Sequence, residues 1–287
     1  MKRMTLFGWM RSFLIIGLLA GLTTGKENVG PAISPEDEPI VLFNGKDLSG
    51  FYTWLSDTKY DDPRKVFTVT KDSDGTPVIH VSGDGYGTLT TKQRYTNYHL
   101  IVEYRWGELT WGGRKAATKD SGILLHGHGD DGNQGSGQGQ SPWMASIECQ
   151  IIEGGVGDLL VLSGSNDDGS QCLASLTCEI TKDRDGETVW KKGGESKTFT
   201  GGRINWYGRD PDWEDVLGFR GKEDADSPGQ EWTRVECICD GGNITNIVNG
   251  TVVNEGTRAE PSAGKLLFQT EEAEIFFRKI ELHPLKK

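Results

Sequence analysis

Four short stretches of the chain put acid, base or cationic side chains on one face of an extended backbone. In Ser146-Ile-Glu-Cys-Gln-Ile-Ile152, period-2 alternation sets Glu148 and Gln150 on one face and Ile147, Cys149 and Ile151 on the other. In Ile101-Val-Glu-Tyr-Arg-Trp106, the same alternation separates Glu103 and Arg105 from Val102 and Tyr104. Gly122-Ile-Leu-Leu-His126 sends His126 the same way as Leu124, and a continued strand adds His128. Glu274, Phe276 and Arg278 share a face opposite Ile275 and Phe277. A carboxylate can take a proton, an imidazole can act as a second acid or base, and a guanidinium can stabilise a developing oxyanion. The four strands are therefore expected to bring Glu103, His126, Glu148, Gln150 and Arg278 into one groove, with Arg105 in reserve. A divalent cation is an alternative electrophile. His126 and His128 with Asp130 and Asp131 have a compatible spacing, which ordinary loop residues also produce. For any one of these strands, the plain alternative is a solvated face.

Positioning such residues requires a strand framework, and the rest of the chain supplies one. The sequence has 287 residues and 40 glycines, roughly twice the usual share. From Ile40 onward, short apolar and β-branched runs alternate with turn dipeptides such as Asp74-Gly75, Asp240-Gly241 and Asn249-Gly250. Strands are expected at Phe67–Thr70, Val78–Ser82, Thr88–Thr90, His99–Trp106, Gly122–His126, Ala145–Ile152 and Thr233–Cys239. Others fall at Ile244–Val248, Thr251–Asn254, Lys265–Gln269 and Ile275–Leu282, with no helix longer than a turn or two and no fixed repeat. This pattern predicts one all-β domain over 40–287, a sandwich whose apolar faces pack inward. A polar face of a curved sheet then forms the groove. Gly127–Ser141 reads as a mobile surface loop. The charged stretch Thr181–Gln230, which carries Trp190, Trp206, Tyr207, Trp213 and Phe219, reads as an ordered insertion beside the groove.

Residues 1–25 read as a secretory signal peptide, with Lys2, Arg3 and Arg11 as a basic region before the short apolar run Ser12–Leu22. That run is too short to span a bilayer. A polar leader over 26–39 follows as an extended tether, so the mature protein is expected in the periplasm or outside the cell, without a membrane partner. The net charge of -11, which removal of the basic leader makes more acidic, argues against nucleic acid as a partner. Export permits disulfides, but five cysteines is an odd count and no Cys-x-x-Cys pair exists. Buried free thiols are the expected state.

Several motifs occur together in order: Leu42-Phe-Asn-Gly-Lys-Asp-Leu-Ser-Gly50, Glu103-Tyr-Arg-Trp106, Asp120-Ser-Gly-Ile123, Glu148-Cys-Gln150 and Glu231-Trp232. Asn249-Gly250, Leu267-Phe-Gln-Thr-Glu271 and Phe277-Arg278 through Pro284-Leu285 complete the set. In this the chain resembles the 3-keto-disaccharide hydrolase domain family from about Ile40 to Leu285. The resemblance implies a concanavalin-like jelly-roll sandwich acting on glycosides oxidised at C3. A C3 ketone acidifies the C2 proton, so a base can remove it, the C1 substituent leaves by elimination, and water then adds. On this reading Glu148 or His126 is the base, Arg278 or Arg105 the oxyanion partner, and the ligand a small carbohydrate. Cys149 and Glu153 depart from the family's usual residues, and the charged insertion is large.

Two other readings stay open. Glu148-Cys-Gln-Ile-Ile-Glu153 is similar to the laminarinase-type E-x-D-x-x-E motif of retaining glycosidases, with Gln150 in place of the central Asp. Residues 148 and 153 are an odd number apart, so only a β-bulge would bring both carboxylates into one groove. A non-catalytic carbohydrate-binding module is the other. Trp206, Tyr207 and Trp213 would stack on sugar rings in any of the three readings.

Overall fold

The computed structural model describes residues 30–135, 139 and 141–286; the expected signal segment lies outside the described residues. The first strands are β1 (Ile40–Val41), β2 (Phe51–Leu55), β3 (Phe67–Lys71), β4 (Pro77–Val81), β5 (Tyr86–Thr91), β6 (Tyr98–Thr110), β7 (Asp120–His128) and β8 (Ala145–Ile152). There follow β9 (Leu159–Leu162), β10 (Gly164–Ser165), β11 (Gln171–Cys172), β12 (Ser175–Lys182), β13 (Thr188–Trp190), β14 (Glu195–Phe199) and β15 (Gly202–Ile204). The last are β16 (Thr233–Asp240), β17 (Asn243–Val248), β18 (Thr251–Glu260), β19 (Lys265–Glu271) and β20 (Ala273–His283). Among the described residues the one helical turn is a 3-10 turn at Gly112–Lys115, and no helix is long and apolar enough to cross a membrane.

Apart from β10 and β11, which pair with each other, these strands form a jelly-roll sandwich of two antiparallel sheets. The front sheet runs β15-β9-β8-β7-β19-β5-β2, and the back sheet runs β13-β12-β18-β17-β16-β6-β20-β4-β3, with β1 added at β20 and β14 at β12. Period-2 alternation builds the core between them. Ile123, Leu125, Ile147, Cys149, Ile151 and Phe268 of the front sheet pack toward Val102, Tyr104, Val235, Cys237, Ile275 and Phe277 of the back. Phe268 and Phe277 meet edge to face with ring centroids 5.5 Å apart. The β17–β18 hairpin turns at Asn249-Gly250, whose φ values of +47° and +83° are those that a two-residue hairpin turn demands. All five cysteines are free and buried.

Two expectations about connecting segments change. The leader is pinned rather than free from residue 33, where Ile33 N–H donates to Arg94 O at 3.0 Å and Ser34 Oγ to Thr96 O at 2.8 Å. The described part of 127–141 is also anchored. Asn133, fully buried, donates from Nδ2 to His128 O at 3.0 Å and accepts the Ala145 N–H at 2.7 Å. Asp131 accepts from Tyr52 Oη at 2.7 Å and Tyr60 Oη at 2.9 Å. A Gly-rich composition allows tight turns as readily as mobility, and here polar side chains hold those turns onto the front sheet.

Candidate active site

The outer face of the front sheet carries a polar strip whose layout follows from strand register. Glu148 pairs with Leu124, Leu124 with Leu267, Leu267 with Thr90, and Thr90 with Tyr52. Directly opposed residues point to the same side of a sheet, so these side chains form one row across five strands. Gln150 pairs with Gly122, and the register that joins Phe268 to Ile123 sets Gln269 opposite Gly122 in the next row. Asp120 pairs with Glu271 and Glu271 with Tyr86 in a third. The front face therefore grades from an apolar margin (Leu124, Met144 and Leu267 under Trp143 and Leu162) through a carboxylate and two amides to a pair of acids.

Glycine at 122 leaves the middle of this floor open. A Cβ there would collide with Glu148 Oε1 and Gln269 Oε1, so both side chains lean over the place where a side chain is missing. Glu148 is only 3% exposed. Burial, and then the neighbouring Asp120 and Glu271 carboxylates, raise its pKa well above the ordinary carboxylate value, with Arg203 and a hydrogen bond from Gln269 opposing. Glu148 therefore holds a proton far more readily than a surface glutamate does.

Arg114 organises the acid row. The 3-10 turn between β6 and β7 presents it, and its Nη2 bonds Asp120 Oδ2 and, at 2.9 Å, Glu271 Oε1. Burial, followed by mutual repulsion, raises the pKa of Asp120; burial raises that of Glu271, with Arg114 opposing both shifts. A second cation, Arg203 on β15, pairs with Leu160 in the Glu148 row and reaches Asp158 Oδ2 at 3.3 Å. Asp158 is fully buried, and Arg209 and the Trp206 N–H also bond it. Along the rim, Leu217 N–H donates to Ala116 O at 2.9 Å, and Asp215 accepts from Thr118 Oγ1 at 2.6 Å. Part of the charged insertion thus borders the site, while β13 and β14 extend the far edge of the back sheet.

The convergence expected from the sequence does not form. Glu103, Arg105 and Arg278 lie on β6 and β20, on the outer face of the back sheet, across the whole core from Glu148. There Arg278 Nε donates to Glu103 at 2.7 Å, and Arg105 to Asp72 at 3.0 Å; Trp232 and Phe276 cover the guanidinium groups. Arg278 therefore cannot act as the electrophile beside Glu148. His126 also departs from the groove. The β7 register shifts between Leu125 and His128, and His126 takes φ +59°, so the ring turns to the core and meets Tyr98 with centroids 5.8 Å apart. There Pro261 O lies 3.0 Å from its Nδ1, and burial lowers its pKa to about 4. The metal-site spacing is not realised either. His128 Nδ1 lies 3.2 Å from His126 O, Asp130 accepts the Asp167 N–H, and no group of three potential ligands forms among the described residues.

Of the three aromatics expected to stack on sugars, Trp206 is a core residue at 2% exposure. Tyr207 is exposed but leans on Trp190 and Trp206, and Trp213 is tied at the rim by Nε1–H donation to Glu153 O at 2.9 Å. Aromatics that do border the floor include Tyr52, in the Glu148 row, and Tyr86, 37% exposed, which meets Trp143 edge to face with centroids 6.4 Å apart. Gln150 stays on the Glu148 face, with Oε1 accepting the Ile151 N–H at 3.0 Å. Glu153 lies beyond β8, where it accepts Lys119 and Gly218 N–H groups, and no bulge interrupts β8 between residues 147 and 152. The paired carboxylates of the laminarinase-type reading are therefore not assembled. Asp120, Gln269 and Glu271 lie within the sequence motifs quoted above, and the same alternation that singles out Glu148 places them; Arg114 and Arg203 carry no comparable local signal.

The model of the 3-keto-alpha-glucoside-1,2-lyase-like domain family matches residues 38–283. No curated protein sequence matches. Among solved structures, a Parabacteroides distasonis protein provisionally assigned as a glycosyl hydrolase is 19% identical, covering 86% of this chain and 94% of its own, with a TM-score of 0.46. A glycoside hydrolase family 16 protein from a Bacteroides ovatus mixed-linkage glucan locus is 8% identical, covering 77% and 86%, with a TM-score of 0.39. The carbohydrate-binding module CBM66 of Bacillus subtilis is 6% identical, covering 87% and 98%, also with a TM-score of 0.39. These are distant likenesses, and no functional assignment rests on them.

Proposed function

The chain belongs to the 3-keto-alpha-glucoside-1,2-lyase-like domain family, and from that premise we propose that this carbohydrate-active protein cleaves 3-keto-glycosides at the front-sheet floor, with Glu148 moving the proton. The observation that carries the proposal is the Glu148 carboxyl, buried over Gly122 between two amides, with its pKa raised. An upward shift makes the ionised carboxylate a stronger base than a surface glutamate. Ionised Glu148 takes the C2 proton, and the C2–H electron pair passes into an enolate whose negative charge rests on O3. Collapse of the enolate forms the C1–C2 double bond and breaks the bond from C1 to the leaving oxygen, which takes a proton from the now neutral Glu148. Addition of water across C1–C2 completes a net hydrolysis. Arg114 and Arg203 are arginines that border this floor, and they replace Arg105 and Arg278 as candidates for stabilising O3. Export to the periplasm or beyond belongs to the same proposal and rests on the apolar run before residue 25.

The ketone is what makes the chemistry feasible, because an unactivated C2–H is far too weak an acid for a carboxylate. The mature protein is therefore expected to release the leaving group from a 3-keto-glucoside and to leave the unoxidised parent glucoside intact, as read by chromatography of the products. Equal cleavage of both would establish ordinary glycoside hydrolysis instead. Saturable binding without cleavage of either would make the floor a binding module.

A further inference from the structure

Two acceptor atoms beside Glu148 have no partner. Asp120 is 4% exposed and Gln269 1%, yet Asp120 Oδ1 and Gln269 Oε1 are buried without a hydrogen bond. Leaving a buried polar atom unpaired costs about 1–3 kcal/mol, so such atoms commonly mark a place where a ligand completes the network. Both belong to side chains on the outer face of the front sheet. Gln269 stands opposite Gly122, and Asp120 is the next residue on the same face of β7, a diagonal neighbour at about 7–8 Å. Asp120 Oδ2 is committed to Arg114, and Gln269 leans beside Glu148 over Gly122. Gln269 Oε1 accepts, and Asp120 Oδ1 accepts while its carboxyl is ionised beside Arg114, so the group that completes them must donate.

We infer that Asp120 Oδ1 and Gln269 Oε1 are specificity-determining acceptors that read the two ring hydroxyls flanking the reacting carbonyl of a pyranose. The inference rests on the proposed sugar site and adds to it which part of the ring is recognised. A ring placed with C2 over Glu148 lies above Gly122, between the two acceptors. A ketone at C3 offers no proton, so the donors available to them are the hydroxyls on C2 and C4. Removing either hydroxyl leaves one acceptor buried and unpaired again, a loss of roughly 5- to 150-fold in affinity for each.

The test uses unoxidised ligands, so that binding is read independently of turnover. Methyl 3-deoxyglucoside, which like the ketone has no donor at C3, and its 2,3-dideoxy and 3,4-dideoxy analogues are titrated into the mature protein by NMR. Weaker binding of both analogues is expected. Gln269→Leu should abolish discrimination against one analogue only, and Asp120→Ala against the other, while Asp120→Asn, which keeps an acceptor, restores it. Thermal melts of the variants establish that each is folded. Equal binding of all three ligands by the wild type would overturn the inference; continued turnover of 3-keto-glucoside in that case would leave the proposed function standing. Absence of both sugar binding and turnover would remove both. A calcium titration whose response vanished in Asp120→Ala and Gln269→Leu would also overturn the inference, because the acceptors would then serve a cation.

Discussion

The two outer faces of the sandwich have similar compositions and opposite states of satisfaction. On the back sheet, two arginines each have their own carboxylate and an aromatic cover: Arg278 with Glu103 under Trp232, and Arg105 with Asp72 between Trp232 and Phe276. His80 repeats the theme, 2.8 Å from Glu274 and stacked on Phe276. On the front sheet, two buried acids and the part-buried Glu271 face two arginines, a glycine opens space where a side chain is missing, and two acceptors lack partners. The first arrangement is complete without a ligand. In the second, self-repulsion and desolvation persist until something binds or a proton moves. Alternating charge on a strand is common to both faces, so charge pattern alone does not mark a site; an unfinished hydrogen-bond network does.

The largest expected effect tests that contrast directly. Glu148→Gln removes the proton-transfer group and should lower kcat/KM on a 3-keto-glucoside by about 10²–10⁴-fold. Arg278→Met, on the completed face, should leave kcat/KM unchanged. It should cost at most about 1 kcal/mol of stability, since the Arg278–Glu103 pair is about a quarter exposed on each side. Comparable losses of activity in the two variants would put the chemistry on the wrong sheet.

A smaller effect is expected from Gly122→Ala. The new Cβ meets the flexible ends of Glu148 and Gln269 rather than backbone, so the chain should fold. Alanine also suits a strand better than glycine by about 0.5–1 kcal/mol. The displaced carboxylate is what should register, since misplacement by about 1 Å can cost on the order of 100-fold in rate. Wild-type activity in this variant would show that the position of Glu148 over Gly122 is not used.

The sequence disclosed faces but not sheets. Alternation correctly separated Glu148 and Gln150 from Ile147, Cys149 and Ile151, and it did the same for Glu103 and Arg278. What it lacked was the long-range pairing of β6 with β16 and β20, which assigns those residues to the opposite side of the core. His126 was misplaced for a local reason: period-2 counting fails where the β7 register shifts. Trp206 reads as a surface aromatic in a charged insertion, but β15 joins the front sheet and Trp206, two residues beyond its end, is drawn inside. Strands in that insertion went unseen because Glu195–Phe199 is almost entirely polar and Gly202–Ile204 is only three residues long.

The smallest expected effect separates the faces by stability rather than rate. The folded-state pKa of Glu148 is raised by burial and then by Asp120 and Glu271. A carboxyl with a raised folded pKa favours the native state below its unfolded value, about 4.3, and that contribution is lost as pH rises through the folded pKa. Glu148→Gln stays neutral throughout and escapes this loss. The variant and the wild type should therefore melt together near pH 4, and the variant should melt higher toward neutral and alkaline pH, by about 2–4 °C for each kcal/mol of relieved repulsion. Glu103→Gln, which deletes the charge of a satisfied ion pair, should show no such gain. A Glu148→Gln curve parallel to the wild type at every pH would mean that this carboxyl is not strained by its surroundings, and the front face would lose the property that sets it apart from the back.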